Sequence, residues 1–350
     1  MNKFLAVLTL CGAPLLVSAE PLPSLEAFLQ QARVQPAPVA LTAVPVPAPT
    51  VHLRHTSISN MGTAAGFLNK DYQLGDEWGK KPVTAGSLGR ESAVFQRAAK
   101  ATANYGGGTA FYLGIFNGHH MMATNHHVMR AMGCGVRADF VLLGKSFPCE
   151  KVYGDWKEID LAVFAIRVGA ADAAVLAGLG RNFAYDAEIY PGQELLTIGF
   201  GVANNPRGVM MANQDSDCRV FSKRNEFRKM ADPDDFNPGP DKVWSFASGC
   251  EVSHGDSGSA FVDRNTGDVV GIVWTGRIPK SPKVSSSAYL TEMQRLNSPE
   301  IWTELSYTVP AASIRDGLKA ALSSGSLSAD AAATIRALLV SASAETVAVR

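Results

Sequence analysis

The feature that most constrains this chain is a rhythm of short apolar runs that begins at about Ala93. Thr109-Ala-Phe-Tyr-Leu-Gly-Ile-Phe, Met121-Met-Ala-Thr, Phe140-Val-Leu-Leu and Leu161-Ala-Val-Phe-Ala-Ile form its first half. Glu194-Leu-Leu-Thr-Ile-Gly-Phe, Lys242-Val-Trp-Ser-Phe, Ala260-Phe-Val and Val269-Val-Gly-Ile-Val-Trp form the second. All are short, rich in Val, Ile and Phe, and separated by Gly, Pro, Asp and Asn, the punctuation of strands and turns. Asn117-Gly118 supplies a two-residue hairpin turn between the first two runs. The reading is an all-β domain, a barrel or a sandwich. A short helix is expected in a loop over Ala171–Leu179, and two more at the end, about Ala311–Leu322 and Ala329–Leu339, the second capped by Ser328.

The N-terminal part reads differently. Met1-Asn2-Lys3 is a short positive start, Phe4–Val17 is an apolar run too short for a comfortable membrane span, and Val17-Ser18-Ala19 places small residues at a cleavage site. Residues 1–19 are therefore expected to be a signal peptide, and the mature protein secreted or periplasmic. A lipidated Cys11 is disfavoured by Leu10 before it. Nothing else resembles a membrane helix. Residues 20–90 read as a Pro-rich linker or pro-segment followed by a Gly-rich leader, 91–310 as the main domain, and 311–350 as a helical tail.

Composition narrows the partners. The 350 residues are 46% hydrophobic and 18% charged, with 32 basic and 32 acidic side chains, which gives no electrostatic reason to expect nucleic acid or an anionic membrane. After loss of Cys11 with the signal, Cys134, Cys149, Cys218 and Cys250 remain, an even number in an exported chain. Of the three pairings, Cys134–Cys149 and Cys218–Cys250 are favoured because each brackets one local excursion. Four free thiols are the alternative, and the absence of paired CxxC units argues against zinc.

Three local patterns carry chemistry. In Gly255-Asp256-Ser257-Gly258-Ser259 a Ser sits in a glycine-flanked turn, where its hydroxyl can project and backbone N–H groups can converge on a developing oxyanion. In Ala123-Thr124-Asn125-His126-His127-Val128 a His pair follows an apolar strand, the place for a base whose ring is fixed by neighbours. In Glu158-Ile159-Asp160-Leu161-Ala162-Val163-Phe164 an Asp opens an apolar strand, where its carboxylate can orient an imidazole. Each alone is compatible with an ordinary loop. Their order, His then Asp then Ser, in an exported all-β chain gives them weight together. A metal site built from His119, His120, His126 and His127 is disfavoured, because adjacent residues on a strand point to opposite faces and no HExxH spacing accompanies them.

Over roughly Gly106 to Pro310 the sequence resembles the trypsin-like, chymotrypsin-fold serine peptidases, above all their bacterial branches. Thr124-Asn125-His126-His127-Val128, Asp160-Leu161-Ala162-Val163, Gly255-Asp256-Ser257-Gly258 and Gly271-Ile-Val-Trp-Thr-Gly276 carry the resemblance. It implies two packed six-stranded-type β-barrels, the first about 91–175 and the second about 186–310, with an N-terminal extension and C-terminal helices. It implies a catalytic triad of His127, Asp160 and Ser257, an oxyanion hole from the N–H groups of Gly255 and Ser257, and substrate contacts from Glu251, Val252, His254, Thr275 and Gly276. Thr275-Gly276 would pair with the substrate backbone. Glu251 at the pocket base would favour Lys or Arg at the cleaved bond. Turned into the protein beside Cys250, it would instead leave a pocket defined by Val252, Ser253, Val273 and Thr275. No Ile-Val-Gly-Gly-like start precedes Gly106, so insertion of a new N-terminus beside Asp256 is not expected. The implied partner is a protein or peptide substrate, and the resemblance implies neither cofactor nor metal. The competing reading is a catalytically silent trypsin-like binding protein.

Overall fold

The structure is a computed structural model that describes residues 69–205, 208–233 and 241–347, with backbone alone over 341–347. The chain divides after Arg54, and every described residue belongs to the second unit. The expected signal peptide and the Pro-rich stretch up to about Thr50 lie outside the described residues.

A leader strand, β1 (Lys80–Pro82), and two helices, α1 (Ala85–Leu88) and α2 (Ala93–Ala101), precede the first half. There, β2 (Thr102–Tyr105), β3 (Gly108–Phe116), β4 (His119–Thr124), β5 (Arg137–Phe140), β6 (Lys145–Trp156) and β7 (Leu161–Ile166) close into a barrel in the order β2-β3-β4-β7-β6-β5. Helix α3 (His126–Met132) links β4 to β5, and α4 (Ala170–Leu176) lies in the connection to the second half.

The second half holds β8 (Leu195–Gly199), β9 (Met211–Asn213), β10 (Arg228–Ala231), β11 (Lys242–Ser248), β12 (Ala260–Asp263), β13 (Val269–Gly276) and β14 (Ser306–Pro310). With β1 they form an eight-stranded sheet in the order β1-β9-β8-β12-β13-β14-β11-β10. Helices α5 (Ser287–Arg295) and α6 (Ile301–Glu304) fall between β13 and β14, and α7 (Ala311–Ser323) and α8 (Ala329–Val347) end the fold.

Side-chain alternation explains why the apolar runs are continuous. All six residues of β7 are buried. Ala162, Phe164 and Ile166 point into the barrel with Tyr105, Phe140 and Phe147. Leu161, Val163 and Ala165 point outward into a second apolar cluster that also takes Leu196 and Ile198 of β8 and Ile272 of β13. The strand is thus covered on both faces, and its apolar side chains each contribute roughly 1.5–3 kcal/mol of burial free energy. The Asn117-Gly118 turn forms as expected, both residues at positive φ (50° and 79°), which a two-residue hairpin turn of this kind requires.

One strand is shorter than its apolar run, and two elements add to the sequence reading. Phe140 ends a strand, but Val141–Leu143 form a 3-10 turn that leaves Val141 half exposed, closed by Gly144 in the left-handed region. β6, twelve residues long, is too polar to announce itself: its burial pattern is mixed because one face meets solvent. The leader is not merely a tether, since β1 pairs antiparallel with β9, Lys80 opposite Asn213 and Pro82 opposite Met211.

Both favoured cysteine pairs stand at disulfide distance, with Cα–Cα separations of 5.1 Å for Cys134–Cys149 and 3.9 Å for Cys218–Cys250. No helix among the described residues is long and apolar enough to cross a membrane.

Helix α8 packs Ile335 and Leu338 into the apolar cluster and carries Asp330 to Lys151 of β6 at 2.6 Å. Its first turn is capped by the Ser328 hydroxyl, which accepts from the Ala331 N–H at 3.2 Å. Ser328→Ala should lower stability by about 1 kcal/mol, read as an earlier midpoint in urea unfolding with an unchanged slope. A change within error would show that the cap contributes nothing.

Candidate active site

His127 and Asp160 are brought together by two chain turns. β4 ends at Thr124, Asn125 adopts an extended conformation at the N-terminus of α3, and His126 and His127 form its first turn. Asp160 follows a 3-10 turn over Lys157–Ile159 and sits at φ 39°, left-handed, immediately before β7. The Asn125 side chain donates to the Asp160 carbonyl at 2.9 Å and holds that turn in place. One Asp160 carboxylate oxygen then accepts from the His127 backbone N–H at 3.0 Å, and the other pairs with His127 Nδ1 at 2.8 Å. Asp160 is only 5% exposed, while 48% of the His127 side chain is open. The two His rings diverge because they are successive residues of a helix, not of a strand as their position after an apolar run suggested. The His126 ring goes to Asp155 at 2.5 Å. His120 meets the Tyr112 hydroxyl at 2.8 Å, so the clustered histidines serve separate partners.

Surrounding protein works to lower the His127 pKa, but the Asp160 charge, its hydrogen bond and the Asp232 charge outweigh that and hold it above 6.5. Asp232 has no signature in the sequence. It lies just after β10, and its carboxylate accepts from the Thr275 hydroxyl.

Ser257 is partly exposed in the turn between β11 and β12. Gly255 and Gly258 there have φ of 94° and 88°. A side chain at 258 would put its Cβ 2.1 Å from the Thr109 carbonyl oxygen, so only glycine fits. Hydrogen bonds from Asp256 N–H to the Ser253 carbonyl (3.0 Å), Ser259 N–H to the Asp256 carbonyl (2.9 Å) and Gly258 N–H to the Val273 carbonyl (3.1 Å) shape the turn.

Thr109 of β3 ties this turn to the first barrel. Its N–H donates to the Ser257 carbonyl at 2.9 Å and its hydroxyl to the Gly255 carbonyl at 2.8 Å, while the same hydroxyl accepts from the Phe200 N–H at 3.1 Å. The Thr109 carbonyl accepts from the Thr124 hydroxyl at 2.7 Å, three residues before His127. Ser257 and His127 are thus connected through two buried threonines. Among the described residues no hydrogen bond links the Ser257 hydroxyl to the His127 ring, whose bonded partner is Asp160.

The other expected contacts divide. Thr275 and Gly276 lie on β13 against Tyr307 and Ser306 of β14. His254 is partly exposed, and its carbonyl accepts from the Val202 N–H at 2.8 Å. Val252 is buried to 3% within an apolar cluster. Of the two positions open to Glu251, it takes the inward one: it has no exposed surface, and its carboxyl accepts from the N–H groups of Leu74 (3.3 Å), Gly79 (2.8 Å) and Lys80 (3.0 Å) and from Asn213 Nδ2 (3.3 Å). Burial, then the Asp215 charge, push its pKa up to about 8, against the opposing pull of the N–H donors and Lys80. Asp256 has a partner that the sequence did not disclose: its carboxylate pairs with the Lys80 ammonium, the two side chains exposed to only 3% and 1%.

A closed six-stranded β-barrel beside a second antiparallel sheet is the fold of a trypsin-like peptidase, and residues 108–272 match the family model of the trypsin-like peptidase domain. Together the match and the topology support a trypsin-like peptidase fold for this part of the chain. It is similar to the Rv3671c protease in its inactive form, at 17% identity over 69% of this chain and 96% of that one, TM-score 0.43. The active form of that protease, from M. tuberculosis, aligns at 17% identity over 68% of this chain and 87% of that one, TM-score 0.41. An HtrA-type protease, AlgW, with tripeptide aligns at 16% identity over 69% and 64%, TM-score 0.39. No curated protein matches this chain.

Two outcomes follow from the charges. If His127 is the base, it must be neutral to accept a proton, so activity should rise with pH through a value above 6.5. Asp160→Asn removes the charge that raises it. The acidic limb of the pH–rate profile should move to lower pH, and kcat should fall on the order of a thousand- to ten-thousand-fold; an unmoved limb contradicts the assignment. For Glu251, the folded value of about 8 lies above the ordinary 4.5. Across that window the folded state keeps a proton that the unfolded chain loses, so stability falls as pH rises and levels off above it. Glu251→Gln should flatten this share of the slope in thermal unfolding between pH 5 and 8. It should also cost about 1–3 kcal/mol for each N–H left without an acceptor. A variant with the wild-type slope would contradict the shift.

Proposed function

We propose that the protein is an exported serine endopeptidase that cleaves peptide bonds through an acyl-enzyme. The observation that carries this reading is the His127–Asp160 pair at 2.8 Å, tied through Thr109 and Thr124 to the glycine-flanked turn that presents Ser257. Ser257 Oγ attacks the substrate carbonyl carbon as His127 Nε2 takes the hydroxyl proton. The Asp160 carboxylate holds the proton on Nδ1, fixes the tautomer and stabilises the imidazolium that forms. The N–H groups of Gly255 and Ser257 receive the charge on the substrate oxygen. Collapse of the tetrahedral intermediate breaks the C–N bond, and His127 gives its proton to the leaving amine. Water, deprotonated by His127, then releases the acyl group. The substrate complex completes the Ser257–His127 hydrogen bond, as is common for sites that tighten on binding.

Export is supported by the apolar N-terminal run and by two cysteine pairs at bonding distance. With Glu251 occupied by backbone N–H groups, the specificity pocket falls to Val252, Ser253, Val273 and Thr275, and a medium aliphatic side chain suits it better than Lys or Arg.

Profiling the mature protein on a diverse peptide library tests both parts. Cleavage should follow aliphatic residues. Ser257→Ala and His127→Ala should each lose several orders of magnitude in kcat/KM and His126→Ala much less, because its ring serves Asp155. Equal losses for the two histidines, or activity surviving in Ser257→Ala, would overturn the triad. Dominant cleavage after Lys or Arg would overturn the pocket.

A further inference from the structure

The leader reaches the nucleophile turn twice. Lys80 extends its ammonium to one Asp256 carboxylate oxygen, in a pair almost without solvent contact. That same oxygen accepts from the Ser253 N–H (2.8 Å) and the Ser253 hydroxyl (3.0 Å), and the other accepts from the Gly201 N–H (3.0 Å). Asp256 is thus the internal brace of the turn, spanning it from Ser253 to the residue before Ser257. Five residues earlier, the Glu251 carboxyl holds the backbone N–H groups of Gly79 and of Lys80 itself. β1 is registered against β9, and Tyr72 and Leu74 upstream are buried to 1% and 0%. Two acidic side chains that bracket residues 252–255 therefore anchor on one three-residue strand.

We propose that Lys80 is a positioning residue for the nucleophile turn, which makes the leader over 72–82 a permanent part of the catalytic apparatus and not a detachable pro-segment. The proposal rests on the serine-peptidase reading. Removing the cation from a pair buried this deeply leaves an uncompensated charge, at a large cost even with the Ser253 and Gly201 donors in place. Without Lys80, Asp256 escapes toward water, and because it is adjacent to Ser257 it takes the backbone with it. The N–H groups of Gly255 and Ser257 then no longer converge, while the strand Val273–Gly276 that would bind the substrate backbone is untouched. The loss falls on the rate of the chemical step more than on binding.

The test uses the whole mature chain with a reporter peptide, and a fluorophosphonate as an independent probe of Ser257. A wild-type protein inert in both assays would refute the serine-peptidase reading, which is a separate failure. With an active wild type, Lys80→Met should lower kcat at least a hundredfold with KM within about threefold, and should slow labelling in parallel, with far-UV circular dichroism unchanged. The double variant Lys80→Met/Asp256→Asn replaces the buried ion pair with a neutral pair and should recover at least tenfold over Lys80→Met. A purely structural Lys80 would lower the unfolding midpoint and the fraction of labelled, active protein, and would leave kcat per labelled site unchanged. A folded Lys80→Met with kcat within threefold of wild type overturns the proposal, as does a folded double variant with no gain. Should Lys80→Met fail to fold, the double variant decides: folded with activity within tenfold of wild type supports the proposal. Folded and inactive, or still unfolded, overturns it, because the buried charge held responsible is gone.

Discussion

Everything in the candidate site hangs on one buried residue, Thr109. Each half has an apolar cluster of its own and the two share a third, but apolar contact alone does not fix atomic positions to a fraction of an ångström. Thr109 supplies direction. Its N–H and hydroxyl hold the carbonyls of Ser257 and Gly255 on the second body, and its own carbonyl is held by Thr124 just before the histidines on the first. The requirement for glycine at 258 has the same origin, since the Thr109 carbonyl occupies the space of a Cβ there. Packing brings the two halves together, and a short polar chain sets their register.

The second constraint is electrostatic. Glu251 and Asp256 lie on either side of the turn and are both removed from water. Buried carboxyls need partners, and the turn by itself has too few. The leader provides them: N–H groups from Gly79 and Lys80 for one, an ammonium for the other. The leader therefore joins the sheet as a strand of three residues. It is held both by burial of Tyr72, Leu74 and Val83 and by the polar partners it gives Glu251 and Asp256.

This division explains what could be read from the sequence. Features that rest on local chemistry were legible. The apolar run of β7 is covered on both faces, Asn117-Gly118 turns the β3–β4 hairpin, and Ser328 caps α8. The motif reading singled out His127 and Asp160, which the fold brings to 2.8 Å. Features that rest on partners distant in sequence were not legible. The role of Lys80 depends on a carboxylate 176 positions away, and the inward turn of Glu251 on N–H groups more than 170 positions away. Asp232 joins the site through the Thr275 hydroxyl, a residue 43 positions away. β6 escaped notice because a strand with one wet face carries Lys, Glu and Asp as readily as a loop does. The histidine pair looked like a strand end because β4 is apolar to its last residues, whereas the chain turns at Asn125 into a helix.

The central claim is that Ser257 is the nucleophile, and locating a covalent adduct tests it most directly. The purified mature protein would be incubated with a fluorophosphonate at a pH above the raised His127 value, and the modified residue assigned by intact mass and peptide sequencing. One adduct per chain is expected, on Ser257, formed more slowly as the pH falls and His127 takes up its proton. An adduct on another residue, or none in a preparation that cleaves peptides, would contradict it.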